Sequence, residues 1–137
     1  MSQVNRRFRL IVDQQVANDF ARVKKEDQYA HDQLIVFFEE LIGDRRLCEN
    51  LIDEHFSDFS VESISPFWAM QNARLNVYRV KLYNLGKWRI LTAGDHKRRE
   101  VAILAIMHRD QNYERDAELI SRLEEAYERL GFTELGG

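Results

Sequence analysis

The stretch RLNVYRVKLYNLGKWRILTAGDHKRREVAILAIMHRDQNY, Arg74 to Tyr113, decides how this chain is read. From Leu75 to Ile106 apolar and polar residues alternate with the period of a half-buried antiparallel sheet. A three-residue hairpin loop at Asn84-Leu85-Gly86, with Gly86 supplying a positive φ, sets Leu82 opposite Trp88, Val80 opposite Ile90 and Lys81 opposite Arg89. A two-residue loop would mix polar and apolar side chains on both faces, so the three-residue loop is preferred. Tyr78, Val80, Leu82, Trp88 and Ile90 then point inward, and Arg79, Lys81, Tyr83 and Arg89 share the opposite face. Val101 to Met107 is apolar on both faces and is expected in the middle of the sheet.

Upstream, Arg7 to Val12 reads as a first strand. Asp13 then stands as a candidate N-cap for a helix carrying Val16, Phe20 and Val23 on one face. After the charged break Lys24-Lys25-Glu26-Asp27, a second helix carries Ala30, Leu34, Phe37, Phe38 and Leu41, with Gly43 as its stop. The two helices are expected to form a hairpin against the sheet. Between Asp44 and Ala73, Leu47, Leu51, Ile52 and Phe56 suggest a short helix, whereas Ser60 to Ser65 and Pro66 suggest a break. The chain closes in a helix from about Asn112 to Leu130, with Ile120, Leu123, Tyr127 and Leu130 as its buried stripe and Gly131 as the stop. The expected fold is α+β: an antiparallel sheet, an N-terminal helical hairpin and a C-terminal helix, one domain over residues 1–137.

Composition narrows the function classes. With 20 Lys and Arg against 23 Asp and Glu the chain is slightly acidic, yet the charge is unevenly distributed. Glu26 to Glu62 holds eleven acids against Arg45 and Arg46, and Arg74 to Tyr113 holds nine bases against Asp95, Glu100 and Asp110. A polyanion could thus bind one face of an acidic protein. The single Cys48 forms no internal disulfide, and neither a secretory leader nor a membrane span is read at the N-terminus, so a cytoplasmic protein is expected. Glu49, Asp53, Glu54 and His55 match no metal-ligand spacing and read as a solvated helix face. A Gly-rich phosphate loop, a metalloprotease helix motif and a Ser-centred nucleophile elbow are all missing from the sequence.

Lys81 opposite Arg89 places like charges side by side, which destabilises a sheet unless an anion sits over the pair. One reading is a phosphate seat, in which Arg89 grips phosphate oxygens through its planar fork and lowers the pKa of Lys81. The other is two long side chains splayed into solvent. Arg109 and Tyr113 stand where the last strand gives way to the final helix. There a guanidinium and a phenol could activate a ribose 2′-hydroxyl and stabilise charge on a phosphate, with His108 as another proton carrier. Equally, Tyr113 packs as a helix-start aromatic and His108 is a strand-end residue. Lys97-Arg98-Arg99 with His96 reads first as a solvated hairpin loop and second as an RNA or ribosome contact. Arg6, Arg7 and Arg9 read first as a strand flank.

Taken together, Tyr78-Arg79-Val80-Lys81-Leu82, Gly86-Lys87-Trp88-Arg89-Ile90-Leu91 and Ala105-Ile106-Met107-His108-Arg109 through Tyr113 resemble the RelE/ParE superfamily of toxin-antitoxin toxins. The order of a strand, two helices, three antiparallel strands and a terminal helix is similar as well. RelE-like members cut messenger RNA in the ribosomal A site. The resemblance implies a metal-independent and cofactor-independent endoribonuclease, in which the 2′-hydroxyl attacks its own 3′ phosphate to leave a cyclic phosphate and a free 5′-hydroxyl. It assigns Arg79 and Lys81 to the basic pair of the second strand, Arg89 to the phosphorane, Arg109 or His108 to the leaving oxygen, and Lys81 or Tyr113 to the base. Arg79, Lys87, Lys97, Arg98 and Arg99 become RNA-binding positions, and a protein antitoxin, messenger RNA and the ribosome the partners. A ParE-like topoisomerase inhibitor and a non-toxic binding module are the alternatives. This chain departs from the family in its acidic balance and in an acidic insertion at about 44–73. That insertion would bind a partner, form a dimer contact or fold its acids over the basic face.

Overall fold

The computed structural model describes residues 8–110 and 116–136. In chain order they form β1 (Arg9–Val12), α1 (Val16–Glu26), α2 (Gln28–Gly43), a 3-10 helix (Arg45–Ile52), β2 (Val61–Pro66), α3 (Trp68–Gln71), β3 (Val77–Leu82), a 3-10 turn (Tyr83–Leu85), β4 (Trp88–Asp95), β5 (Glu100–His108) and α4 (Ala117–Leu130). The strands make one sheet in the order β1-β5-β4-β3-β2. The α+β architecture with two N-terminal helices and a C-terminal helix is as expected.

Two parts of the sheet differ from the sequence reading. β1 pairs with β5 in parallel, so the sheet is mixed rather than wholly antiparallel. Residues 61–66, read as a break, form edge strand β2 against β3. Pro66 is tolerated there because the end of an edge strand needs no ladder donor. The strand was hidden because its core residues, Val61 and Ile64, are three apart instead of two; a register shift between Val61 and Ser63 adds one residue to β2.

The central hairpin matches the expected register. Val80 pairs with Ile90, and Gly86 takes φ +58° at the turn. Tyr83, expected on the strand, belongs instead to the 3-10 turn and is exposed. β4 is buried along its whole length and β5 along all but His108. β5 is interior, flanked by β1 and β4. Helices therefore cover both faces. Ala30, Leu34, Phe37, Phe38 and Leu41 of α2 form, with α1 and the 3-10 helix, one core against Val80, Trp88, Ile90 and Ile106. The 3-10 helix comes so close that a Cβ on Gly94 would stand 2.2 Å from Ile52 Cδ1. Segment 44–73 thus contributes buried Cys48, Leu51 and Ile52 to the core rather than standing outside it.

On the other face, Leu119, Leu123, Ala126 and Tyr127 of α4 pack over Leu91, Ala93, Ala105 and Met107. Ile120 and Leu130 of the expected stripe flank this contact and are only partly buried. α4 begins at Ala117, where Asp116 accepts a bond from Leu119 N at 3.1 Å. The expected earlier start at Asn112 lies outside the described residues. Gly131 ends the helix at φ +70°.

β1 covers β5 only from Glu100 to Ile103. Beyond it, side chains replace the missing strand. Asp19 Oδ2 accepts from Ile106 N at 2.9 Å, Arg122 Nη2 donates to Leu104 O at 3.0 Å, and Arg22 Nη2 donates to Ile106 O at 2.6 Å. Arg122 also holds Asp19 through two bonds of 2.9 and 2.7 Å. Asp19 is 3% exposed, so its removal leaves the largely buried Arg122 guanidinium without its carboxylate and the buried Ile106 amide without its acceptor. Asp19→Ala is expected to lower unfolding free energy by about 3–5 kcal/mol, as for other broken buried pairs, measured by chemical denaturation; a change below about 1 kcal/mol would contradict this account.

Candidate functional site

Alternation decides which basic residues share a face. Val80 and Leu82 belong to the core under α1 and α2, so Arg79 and Lys81 point to the α4 side. Arg89 lies on that side too, between Trp88 and Ile90 of the opposite core. α4 covers β4 and β5 there, and the area towards β2, β3 and the Gly86 turn forms an open recess. Its volume is about 340 Å³ and its walls are Ser63, Arg79, Lys81, Arg89 and Arg109.

Arg89 is 6% exposed. Its Nη1 donates to Gly86 O at 2.7 Å and to Trp88 O at 2.9 Å, which locks the guanidinium to the backbone of the turn. Among the described residues no carboxylate forms an ion pair with it. Burial lowers its pKa, the neighbouring Arg79 and Arg109 lower it further, and Glu62 opposes them. A desolvated cation among cations is what a bound anion would relieve. Arg79 Nη2 donates to Ser65 Oγ at 3.0 Å, and Arg109 is anchored by its own N–H, which donates to Lys87 O at 2.6 Å.

The structure brings together Arg79, Lys81, Arg89 and Arg109, as the sequence reading required. The neighbour that Lys81 contacts is a different one, however. Its Nζ stands 2.8 Å from Glu62 Oε2, so a carboxylate on β2 offsets the like-charge contact expected with Arg89. Lys87 belongs to the same turn and lies 3.8 Å from Asp110 Oδ2. His108 does not line the recess. It pairs across from Trp88 on the opposite face, its ring edge-on to the indole at 5.0 Å, and its Nδ1 accepts from Asp110 N at 3.2 Å. Tyr113 lies outside the described residues, as do Arg6 and Arg7.

Lys97, Arg98 and Arg99 occupy the turn at the far end of the β4–β5 hairpin and do not join the recess. Arg98 Nη1 donates to Leu130 O and Gly131 O, each at 2.8 Å, and so satisfies the carbonyls that end α4. The acids of the 44–73 segment are not a shield over the basic face either. Glu49, Asp53 and Glu54 line a separate recess with His55, Tyr78 and His96. Tyr78 packs against the core of the α1 and α2 face, which places that recess on the other side of the sheet. From this acidic stretch it is Glu62 that reaches a basic residue of the site. Ser63, Ser65 and Glu62 were missed as site residues because β2 was missed, and the three-residue spacing of Val61 and Ile64 was the available sign of a bulged strand.

Comparison with protein-family models, curated proteins and solved structures finds no significant match.

The recess can seat an anion with several oxygens: a rigid donor at Arg89, with Arg79, Arg109 and Lys81 around it. A cation buried among other cations costs stability, so Arg89→Met is expected to raise unfolding free energy on the order of 1 kcal/mol while weakening any anion binding in the recess. Thermal denaturation with and without inorganic phosphate checks this. A destabilised variant that still gains thermal stability from phosphate would contradict it.

Proposed function

We propose that this protein is a RelE-like endoribonuclease toxin that binds the messenger RNA backbone in the Arg79, Lys81, Arg89 and Arg109 recess. The observation that carries the reading is Arg89, a buried guanidinium fixed by two carbonyls and facing three other basic side chains without a carboxylate partner among the described residues. In the proposed reaction the 2′-hydroxyl attacks the adjacent phosphate. The bond to the 5′ oxygen of the next nucleotide breaks, and Arg89 and Arg109 stabilise charge on the phosphorane. The base is Tyr113 or Lys81, and Lys81 must first leave Glu62. A protein antitoxin that covers the recess with acidic side chains is the implied partner, and the cytoplasm the implied compartment.

A second reading, phosphate binding without chemistry on the same fold, is favoured by the position of His108 on the opposite face and by the pairing of Lys81. Induced expression followed by mapping of messenger ends separates the two. Cuts in translated messengers, reduced at least about a hundredfold by Arg89→Ala, are expected for the nuclease. Unchanged cutting in Arg89→Ala would overturn the assignment, and absence of cuts would favour the binding module. RNA binding should also weaken with salt at a log–log slope of about −2 to −3, from roughly 0.7 per phosphate neutralised by three or four cations.

A further inference from the structure

β2 carries one more residue than β3 needs. Val61 pairs with Leu82 and Ser63 with Lys81, leaving Glu62 as the extra residue of a bulge. Bulges re-aim side chains. Val61 and Ile64 both enter the core beneath α1 and α2, so Glu62 and Ser63 are turned together to the α4 side. Ser63 lines the basic recess, and Glu62, 37% exposed, stands on its rim with Oε2 at 2.8 Å from Lys81 Nζ.

A carboxylate beside an anion seat repels the phosphate that the seat attracts. It becomes useful where the ligand brings a hydrogen-bond donor next to its phosphate, and the 2′-hydroxyl of RNA is such a donor, missing from DNA. Building on the proposed recess, we infer that Glu62 reads the ribose: Lys81 turns from the carboxylate to the phosphate, and the freed Glu62 accepts a hydrogen bond from the adjacent 2′-hydroxyl. The bulge is what makes this possible. With regular alternation from Ile64, residue 62 would face the α1 and α2 core, and Lys81 would have no acid of β2 beside it.

The test compares short oligouridylate with its 2′-deoxy and 2′-fluoro counterparts by fluorescence anisotropy at one fixed salt concentration. The 2′-fluoro chain keeps a ribose-like sugar pucker and lacks the donor. Wild-type protein should bind the ribo form about tenfold more tightly than either analogue, the discrimination expected of a charged acceptor for a hydroxyl. Glu62→Ala should tighten binding of both analogues and bring the three affinities within about twofold. An unchanged preference in Glu62→Ala, or no preference in the wild type, overturns the ribose assignment. Arg89→Met identifies which idea has failed. If it abolishes binding of all three while Glu62→Ala leaves the preference intact, the phosphate recess stands and Glu62 does not read ribose. If Arg89→Met binds as the wild type does, or no oligonucleotide binds the wild type, the recess reading falls and the ribose reading with it.

Discussion

β5 is apolar on both faces from Val101 to Met107, and that constraint organises the rest of the molecule. Seven consecutive residues of β5, Val101 to Met107, are buried hydrophobics, and β4 buries every side chain. Apolar surface of this extent is unstable in water, so each face must be covered. α1, α2 and the 3-10 helix cover one. α4 covers the other with Leu119, Leu123, Ala126 and Tyr127. The recess is what remains of the second face, where the strands carry Arg79, Lys81 and Arg89 and their charges leave nothing for an apolar helix to bury.

A strand so deeply placed also raises a hydrogen-bond question, because β1 is too short to pair with all of β5. The answer comes from helices. Asp19 and Arg22 of α1 and Arg122 of α4 reach the β5 backbone, and Asp19 with Arg122 forms an ion pair that ties the two helices across the strand edge. Buried backbone groups left unpaired would be costly, and this network satisfies Ile106 N, Ile106 O and Leu104 O of β5 and sets where α1 and α4 cross it. Arg22 additionally lies over the Trp88 ring at 5.7 Å, which links the network to the strand that carries Arg89.

Charge is segregated by the sheet itself. Glu49, Asp53 and Glu54 gather on the α1 and α2 side, Arg79, Arg89 and Arg109 on the α4 side, and the apolar layer separates them. A protein slightly acidic overall can therefore keep a concentrated basic surface without neutralising it. Two acids still reach basic residues there: Glu62, brought round by the bulge to sit against Lys81, and Asp110, 3.8 Å from Arg109.

Local pattern was enough to determine α1, α2 and the central hairpin. The 3.6-residue spacing of Ala30, Leu34, Phe37, Phe38 and Leu41 gave α2 its buried face correctly. Strict alternation through Tyr78 to Ile90, with Gly86 at the turn, put Arg79, Lys81 and Arg89 on one side. Periodicity is a property of adjacent residues, so one sequence carries it in full. What tertiary structure alone decided were pairings between distant residues: β1 parallel to β5, β2 at the far edge, Glu62 against Lys81, and Arg98 on the end of α4. His108 shows the limit at its sharpest. Neighbours on a strand face opposite sides, so His108 and Arg109 could not both enter the recess; the bulge at Leu104 and the pairing of His108 with Trp88 decided which one does, because a strand's sidedness depends on the register of its neighbours.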